Sequence, residues 1–183
     1  MRNSPLTMSS NSKITKYTKF EIIPNLYLSS FPREIPEEIT HVLNMCLDAH
    51  PPDTTRTYLH VPLDDIDDIT PHIPDILSFI NRALSPNFTS GGKNKVLVHC
   101  MLGLNRSAAA VVAYISGIRG MSAEDALWEV REKKADVSPC ALFMVQIDRF
   151  FGRDEGNEDG RLRVLHERLQ ERKRRGILGE VIE

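Results

Sequence analysis

An apolar run, Val96-Leu97-Val98, leads through His99 into Cys100, and six positions after that cysteine stands Arg106, followed by Ser107 and a second apolar stretch rich in alanine. No other part of the chain constrains the fold as strongly. A short apolar run bounded by polar residues reads as a buried strand, and Ser107 to Ile118 has the length and character of a helix. The residues between, Met101-Leu102-Gly103-Leu104-Asn105, then join the carboxyl end of a strand to the amino end of a helix. In α/β folds such loops bind anions, because backbone N–H groups and the positive end of the helix dipole face one point.

The residue types suit an anion of the phosphate class. A field that attracts phosphate also favours a sulfur anion over a thiol, which makes Cys100 the candidate nucleophile. Arg106, planar and permanently charged, can hold two oxygens at once and follow them as charge develops. Gly103 allows close backbone approach or a positive φ. Ser107 can donate a hydrogen bond to the sulfur and help it leave. A cysteine after an apolar strand can equally be a small buried hydrophobe. A glycine, an arginine and a hydroxyl at matched offsets, however, are hard to explain by packing. His99 stays open between a satisfied core histidine and a group that orients the thiolate.

A chain of 183 residues accommodates one domain with a modest extension. The formal charge of −2 gives no global push toward nucleic acid or an anionic membrane. Cys46, Cys100 and Cys140 are too few and too scattered for a disulfide scaffold, which points to a reducing, cytoplasmic setting. No span approaches the roughly 18 apolar residues of a membrane helix. Met1 to Lys16 is polar and Ser/Asn-rich, without the apolar core of a signal peptide, so residues 1–19 are expected to form a mobile leader.

Along the chain, Glu21 to Leu28 reads as two short strands broken by a Pro24-Asn25 turn. Ser29 to Glu38, with Pro32 and Pro36, is expected to be a loop with a short helix. Thr40 to Met45 and Thr57 to Val61 read as strands, with Pro51, Pro52 and Asp53 turning between them. Ile73, Ile76, Leu77, Ile80 and Leu84 keep helical spacing from about Ile69 or Pro71 onward, and a polar loop through Gly91 and Gly92 follows. Ser122 with Asp125 is a capping-box pattern opening a helix to Lys133, and Pro139 opens a last one to Phe151. Alternating strands and helices predict an α/β sandwich of three-layer type, with a mixed, mostly parallel central sheet flanked by helices. The core domain is expected over 20–151. In the extension, 152–183, an acidic stretch precedes a charged helical pattern ending in Arg172-Lys173-Arg174-Arg175. That cluster reads as a solvated helical face, with a nuclear address or an RNA-facing patch as alternatives.

From Phe20 to Phe151 the chain resembles the dual-specificity branch of the cysteine-based protein tyrosine phosphatase superfamily. The most specific piece is His99-Cys100 with Arg106-Ser107 at the family's spacing. Ile23 to Leu28, Ile39 to Asn44, Phe79 to Leu84, and Pro139 with Phe143 and Gln146 support it. Members with only this core, lacking a kinase-docking domain, are called atypical, and the chain resembles those. The resemblance implies attack by Cys100 on phosphorus, protonation of the departing oxygen by an aspartic acid, and hydrolysis of the cysteinyl phosphate, without metal or cofactor. It places substrate phosphate on Met101, Leu102, Gly103, Leu104, Asn105 and Arg106. The family's acid lies three residues past the proline resembling Pro62, which selects Asp65, with Asp64 the next candidate; the plain alternative for this Asp-rich loop is helix N-capping by Asp67 or Asp68. In the related phosphatases of regenerating liver, a cysteine placed like Cys46 forms a reversible disulfide with the nucleophile, whereas the plain alternative is a buried thiol at a strand end. Cys140 stands where the family often has asparagine and receives no role.

The implied substrate is a phosphoprotein bearing phosphotyrosine or phosphoserine/threonine. Asn105 replaces a frequent serine, and Gly103 to Arg106 also resembles RNA 5′-triphosphatases of the same superfamily, which keeps RNA as an alternative. Those enzymes usually carry threonine and glycine after the arginine and dispense with the aspartic acid; Ser107-Ala108 and the Asp-rich loop favour the protein phosphatase. Met101, Leu102 and Leu104 add no cation, which argues against polyphosphorylated inositides. A phosphobinding module without catalysis is the third alternative, although such proteins commonly lose the cysteine or the arginine.

Overall fold

The structure is a computed structural model describing residues 18–49, 53–85 and 94–153. Its strands are β1 (Lys19–Ile23), β2 (Leu26–Ser29), β3 (His41–Asn44), β4 (Thr57–His60) and β5 (Val96–His99). Its helices are α1 (Ile73–Leu84), preceded by a 3₁₀ turn at Thr70–His72, then α2 (Arg106–Arg119), α3 (Ala123–Lys133) and α4 (Ala141–Phe150). The strands form one sheet in the order β1-β2-β5-β3-β4. Only β1 and β2 pair antiparallel, through a turn in which Asn25 takes φ 67°, a left-handed conformation asparagine tolerates.

β5 lies in the middle, parallel to both β2 and β3. A central parallel strand is covered on both faces, which is why its sequence runs Val-Leu-Val without polar alternation. Val96 and Val98 pack with Leu26, Leu28 and Leu43 into the larger cluster shared with the helices. Leu97 faces the opposite side with Tyr27, Val42 and Ile39. On the helical side α2 is enclosed: every residue from Ser107 to Ser116 is buried, so the helix is built of alanine and valine rather than of one apolar stripe. It ends at Gly120 in the left-handed conformation, φ 68°. α1 turns Ile73, Ile76, Ile80 and Ala83 inward. Each buried isoleucine contributes about 1.5–3 kcal/mol relative to an exposed one. The capping box appears as expected, Ser122 Oγ accepting from Asp125 N at 3.1 Å.

The mixed, mostly parallel sheet with flanking helices matches the expected α/β class. The short helix expected within Ser29 to Glu38 does not form. Pro32 and Pro36 remove amide donors and push the residues before them out of the helical region, leaving bends and a turn closed by Ile39 N on Pro36 O at 3.0 Å. This segment, through Ile35 and Ile39, covers the second face of the sheet, and an ion pair from Glu38 to Lys19 ties it to β1. β1 begins at Lys19, two residues ahead of the expected Glu21. The rest of the leader, the Pro51-Pro52 turn, the Gly91-Gly92 loop and the charged extension beyond Arg153 lie outside the described residues. Among the described residues no helix is long and apolar enough to cross a membrane.

Candidate active site

β5 delivers Cys100 to the carboxyl edge of the sheet, and α2 begins at Arg106, so the loop between spans the middle of that edge. Its carbonyls are engaged outward: Met101 O accepts from Phe31 N at 3.0 Å, and Leu104 O from Ser138 N at 2.9 Å. In a planar trans peptide the following N–H points the other way, so the amides of Leu102 and Asn105 face into the loop. The Gly103 N–H also turns inward and donates to Cys100 Sγ at 3.3 Å. Ser107 Oγ donates to the same sulfur at 3.1 Å. Two donors thus converge on one buried sulfur.

Gly103 has φ +71°, and a Cβ there would stand 2.5 Å from the backbone carbonyl of Ser29. The close approach that requires glycine is therefore to the chain leaving β2. Gly103→Ala is expected to destabilise the domain by about 2 kcal/mol or more and to lower Tm by roughly 5–10 °C. A melting curve matching wild type would refute this account of the loop.

Arg106 Nε meets Asp65 Oδ1 at 2.9 Å, and its Nη1 donates to Leu63 O at 3.1 Å. The neighbouring carboxylates are turned to backbone instead. Asp64 Oδ1 accepts from Asp65 N at 2.7 Å, Asp67 Oδ2 from Asp64 N at 2.7 Å, and Asp68 Oδ1 from Thr70 N at 2.9 Å. Of the four, Asp65 is the one seen against the arginine. Asp67 braces the loop rather than a helix, and Asp68 holds the first residue of the 3₁₀ turn.

The seat of this loop was not legible in the sequence. Gln146 on α4 accepts from Ile69 N at 3.1 Å and donates to Asp67 O at 3.4 Å. Cys140, which had received no role, approaches Asp65 O with its thiol at 3.4 Å. Its amide donates to Asn105 Oδ1 at 2.8 Å. Asn105, expected to line the phosphate site, thus turns its side chain to α4. Cys140 links the two halves of the site, and no local pattern signals it.

His99 is fully buried, with Phe31 edge-on at 5.5 Å between ring centroids and its carbonyl accepting from Met45 N at 2.9 Å. That hydrogen bond sets the end of β3 against the foot of the loop. Cys46, two residues past β3, is buried and reduced, and burial pushes its thiol up to about 11, with Cys100 adding to the effect and Arg106 opposing it. A cleft of about 520 Å³ between α1 and the edge strand β4, lined by His41, Tyr58, Phe79 and Arg82 among others, lies at the amino ends of β3 and β4, away from this site.

Residues 26–152 match the family model of the dual specificity phosphatase catalytic domain. Over 95 residues the chain is 40% identical to the dual specificity protein phosphatase Mpk3 of Drosophila melanogaster, covering 51% of this chain and 22% of that protein. It is 34% identical over 123 residues to dual specificity protein phosphatase 1B of Arabidopsis thaliana, covering 65% of this chain and 70% of that one. The crystal structure of the human tyrosine phosphatase-like serine/threonine/tyrosine-interacting protein superposes with a TM-score of 0.63 at 27% identity, over 73% of this chain and 95% of that one. The chain spans about a fifth of the length of the first curated relatives it matches. The family match covers the strand, the cysteine loop, the helix that follows it and the Asp-bearing loop, and on this ground the chain belongs to the dual-specificity phosphatase family.

Proposed function

We propose that residues 20–151 act as a protein phosphatase that hydrolyses phosphotyrosine and phosphoserine/threonine through a cysteinyl-phosphate intermediate. The observation that carries this is the convergence on Cys100 Sγ of Ser107 Oγ and Gly103 N, beside an arginine paired with Asp65. In the first step the Cys100 thiolate forms a bond to phosphorus while the phosphorus–oxygen ester bond breaks. Asp65 gives its proton to the departing oxygen. In the second, water attacks phosphorus and passes its proton to Asp65, the sulfur–phosphorus bond breaks, and Ser107 donates to the departing thiolate. Arg106 and the inward amides hold the equatorial oxygens throughout. An arriving phosphoryl group takes over the guanidinium that Asp65 now occupies.

Phosphate release from matched phosphotyrosine and phosphothreonine peptides and from a 5′-triphosphorylated RNA, with chelator present, tests this. Release from both peptides is the expected result. Release from RNA alone would replace the proposal with an RNA 5′-phosphatase, and tight phosphopeptide binding without release would replace it with a phosphobinding module. A cytoplasmic setting belongs to the same proposal and is supported by three free thiols.

Cys46 enters as the partner that protects the nucleophile from over-oxidation. Peroxide converts the Cys100 thiolate to a sulfenic acid with release of hydroxide, and condensation with the Cys46 thiol expels water and forms the disulfide. Because Cys46 stays protonated to about 11, condensation should quicken as pH rises toward that value. Mild peroxide followed by peptide mapping should yield a Cys46–Cys100 bridge, and at higher peroxide Cys46→Ser should lose activity that dithiothreitol no longer restores, because its Cys100 sulfenic acid is oxidised by further peroxide to the sulfinic acid. Recovery of Cys46→Ser equal to wild type would remove Cys46 from the site.

A further inference from the structure

Seven large apolar side chains are prominently exposed among the described residues, and four of them, Phe31, Leu47, Met101 and Leu102, follow the carboxyl ends of β2, β3 and β5. Those strands are immediate neighbours in the sheet, so the three loops stand side by side around Cys100. The loops are also tied together: Phe31 N donates to Met101 O at 3.0 Å, and Met45 N to His99 O at 2.9 Å. The turn bearing Leu47 is held by Asn44, whose side chain accepts from Cys46 N and donates to Asp48 O, each at 2.8 Å. Leu47 is 57% exposed and Leu102 61%, in turns too well fixed to fold them away. An exposed apolar group gathered at the mouth of a site marks a surface that a ligand covers.

The charge around it narrows the ligand. The loop after β4 carries Asp64, Asp65, Asp67 and Asp68, Asp48 stands beside Leu47, and Arg33 is followed by Glu34. Met101 to Asn105 holds no lysine or arginine. An anionic membrane surface or a polyphosphate would meet repulsion here.

Resting on the phosphatase reading above, we infer that this rim makes the site selective for phosphorylated segments whose residues next to the phosphorylated one are bulky and apolar, and that it disfavours acidic neighbours. The phosphate is held by the cysteine loop and the flanks by Phe31, Leu47, Met101 and Leu102. Apolar contacts retained in the transition state raise kcat/KM rather than the turnover of a substrate without flanks.

The experiment uses the full chain and three phosphotyrosine peptides differing only in the two adjacent residues: leucine, serine or aspartate. Wild type should prefer leucine to serine flanks by about tenfold or more in kcat/KM, with aspartate lower still. In Leu47→Ser/Leu102→Ser the leucine-to-serine ratio should fall toward one, with an unchanged melting curve showing that the fold is kept. Equal kcat/KM for leucine and serine flanks in wild type, or an unchanged ratio in the folded double variant, would overturn the inference. Faster hydrolysis of phosphatidate vesicles than of any peptide would overturn it too, assigning the rim to acyl chains. Loss of all hydrolysis in wild type, p-nitrophenyl phosphate included, would instead strike the phosphatase reading itself.

Discussion

Cys100→Ser is expected to lower single-turnover phosphate release by roughly five orders of magnitude, because effects of this size follow removal of a nucleophile whose partners stay in place. A serine hydroxyl is not ionised near neutral pH, so the donors of Ser107 and Gly103 would face a neutral oxygen. One buried atom changes, and the inward amides and Arg106 remain. The variant should keep wild-type Tm to within a few degrees and bind a phosphotyrosine peptide with a Kd within about tenfold of the wild-type KM, since ground-state binding does not use the nucleophile. Calorimetric titration alongside stopped-flow phosphate release reads both quantities. Retained turnover would show that water attacks phosphorus directly and that no cysteinyl phosphate forms.

Asp65→Asn should reduce kcat by about a thousandfold on phosphothreonine peptides, within the span general acid catalysis supplies. The loss should be smaller on phosphotyrosine, because a phenolate leaves with less help than an alkoxide. The leaving group carries the sharper test. As general acid Asp65 gives its proton to the departing oxygen, so its loss should weigh more heavily the more basic that oxygen is. An amide has no proton to give, and kcat of Asp65→Asn should depend more steeply on leaving-group basicity than that of wild type. Asp64→Asn should keep both rate and leaving-group dependence near wild type, since its carboxylate accepts from the Asp65 amide while Asp65 is the one on Arg106. If Asp64→Asn steepened that dependence and Asp65→Asn did not, the acid would be Asp64.

Much of this site was readable from residue order. Cys100, Gly103, Arg106 and Ser107 lie within one strand-loop-helix unit, so their offsets along the chain are their offsets in space. Likewise, α1 and α3 follow from apolar spacing and a capping box, both local signals. The expectation of a short helix in Ser29 to Glu38 failed because propensity there yields to two prolines and to the demand that Ile35 and Ile39 cover a sheet face.

The contacts across the fold were of another kind. Four aspartates stand close together in sequence, and only the packing of their loop against α2 and α4 separates Asp65, on Arg106, from three that brace backbone. Cys140 carries no local mark of a role and Gln146 only a place in the family resemblance, because their partners belong to a loop far earlier in the chain. Gly103 was legible as a residue needing freedom, but the backbone it must clear, Ser29, belongs to another strand. The sequence alone determined the nucleophile's cradle, since five residues between a strand and a helix leave the backbone few ways to turn. Only the tertiary structure decided which acid faces that cradle and which apolar residues rim it, because those neighbours meet through the order of strands in the sheet.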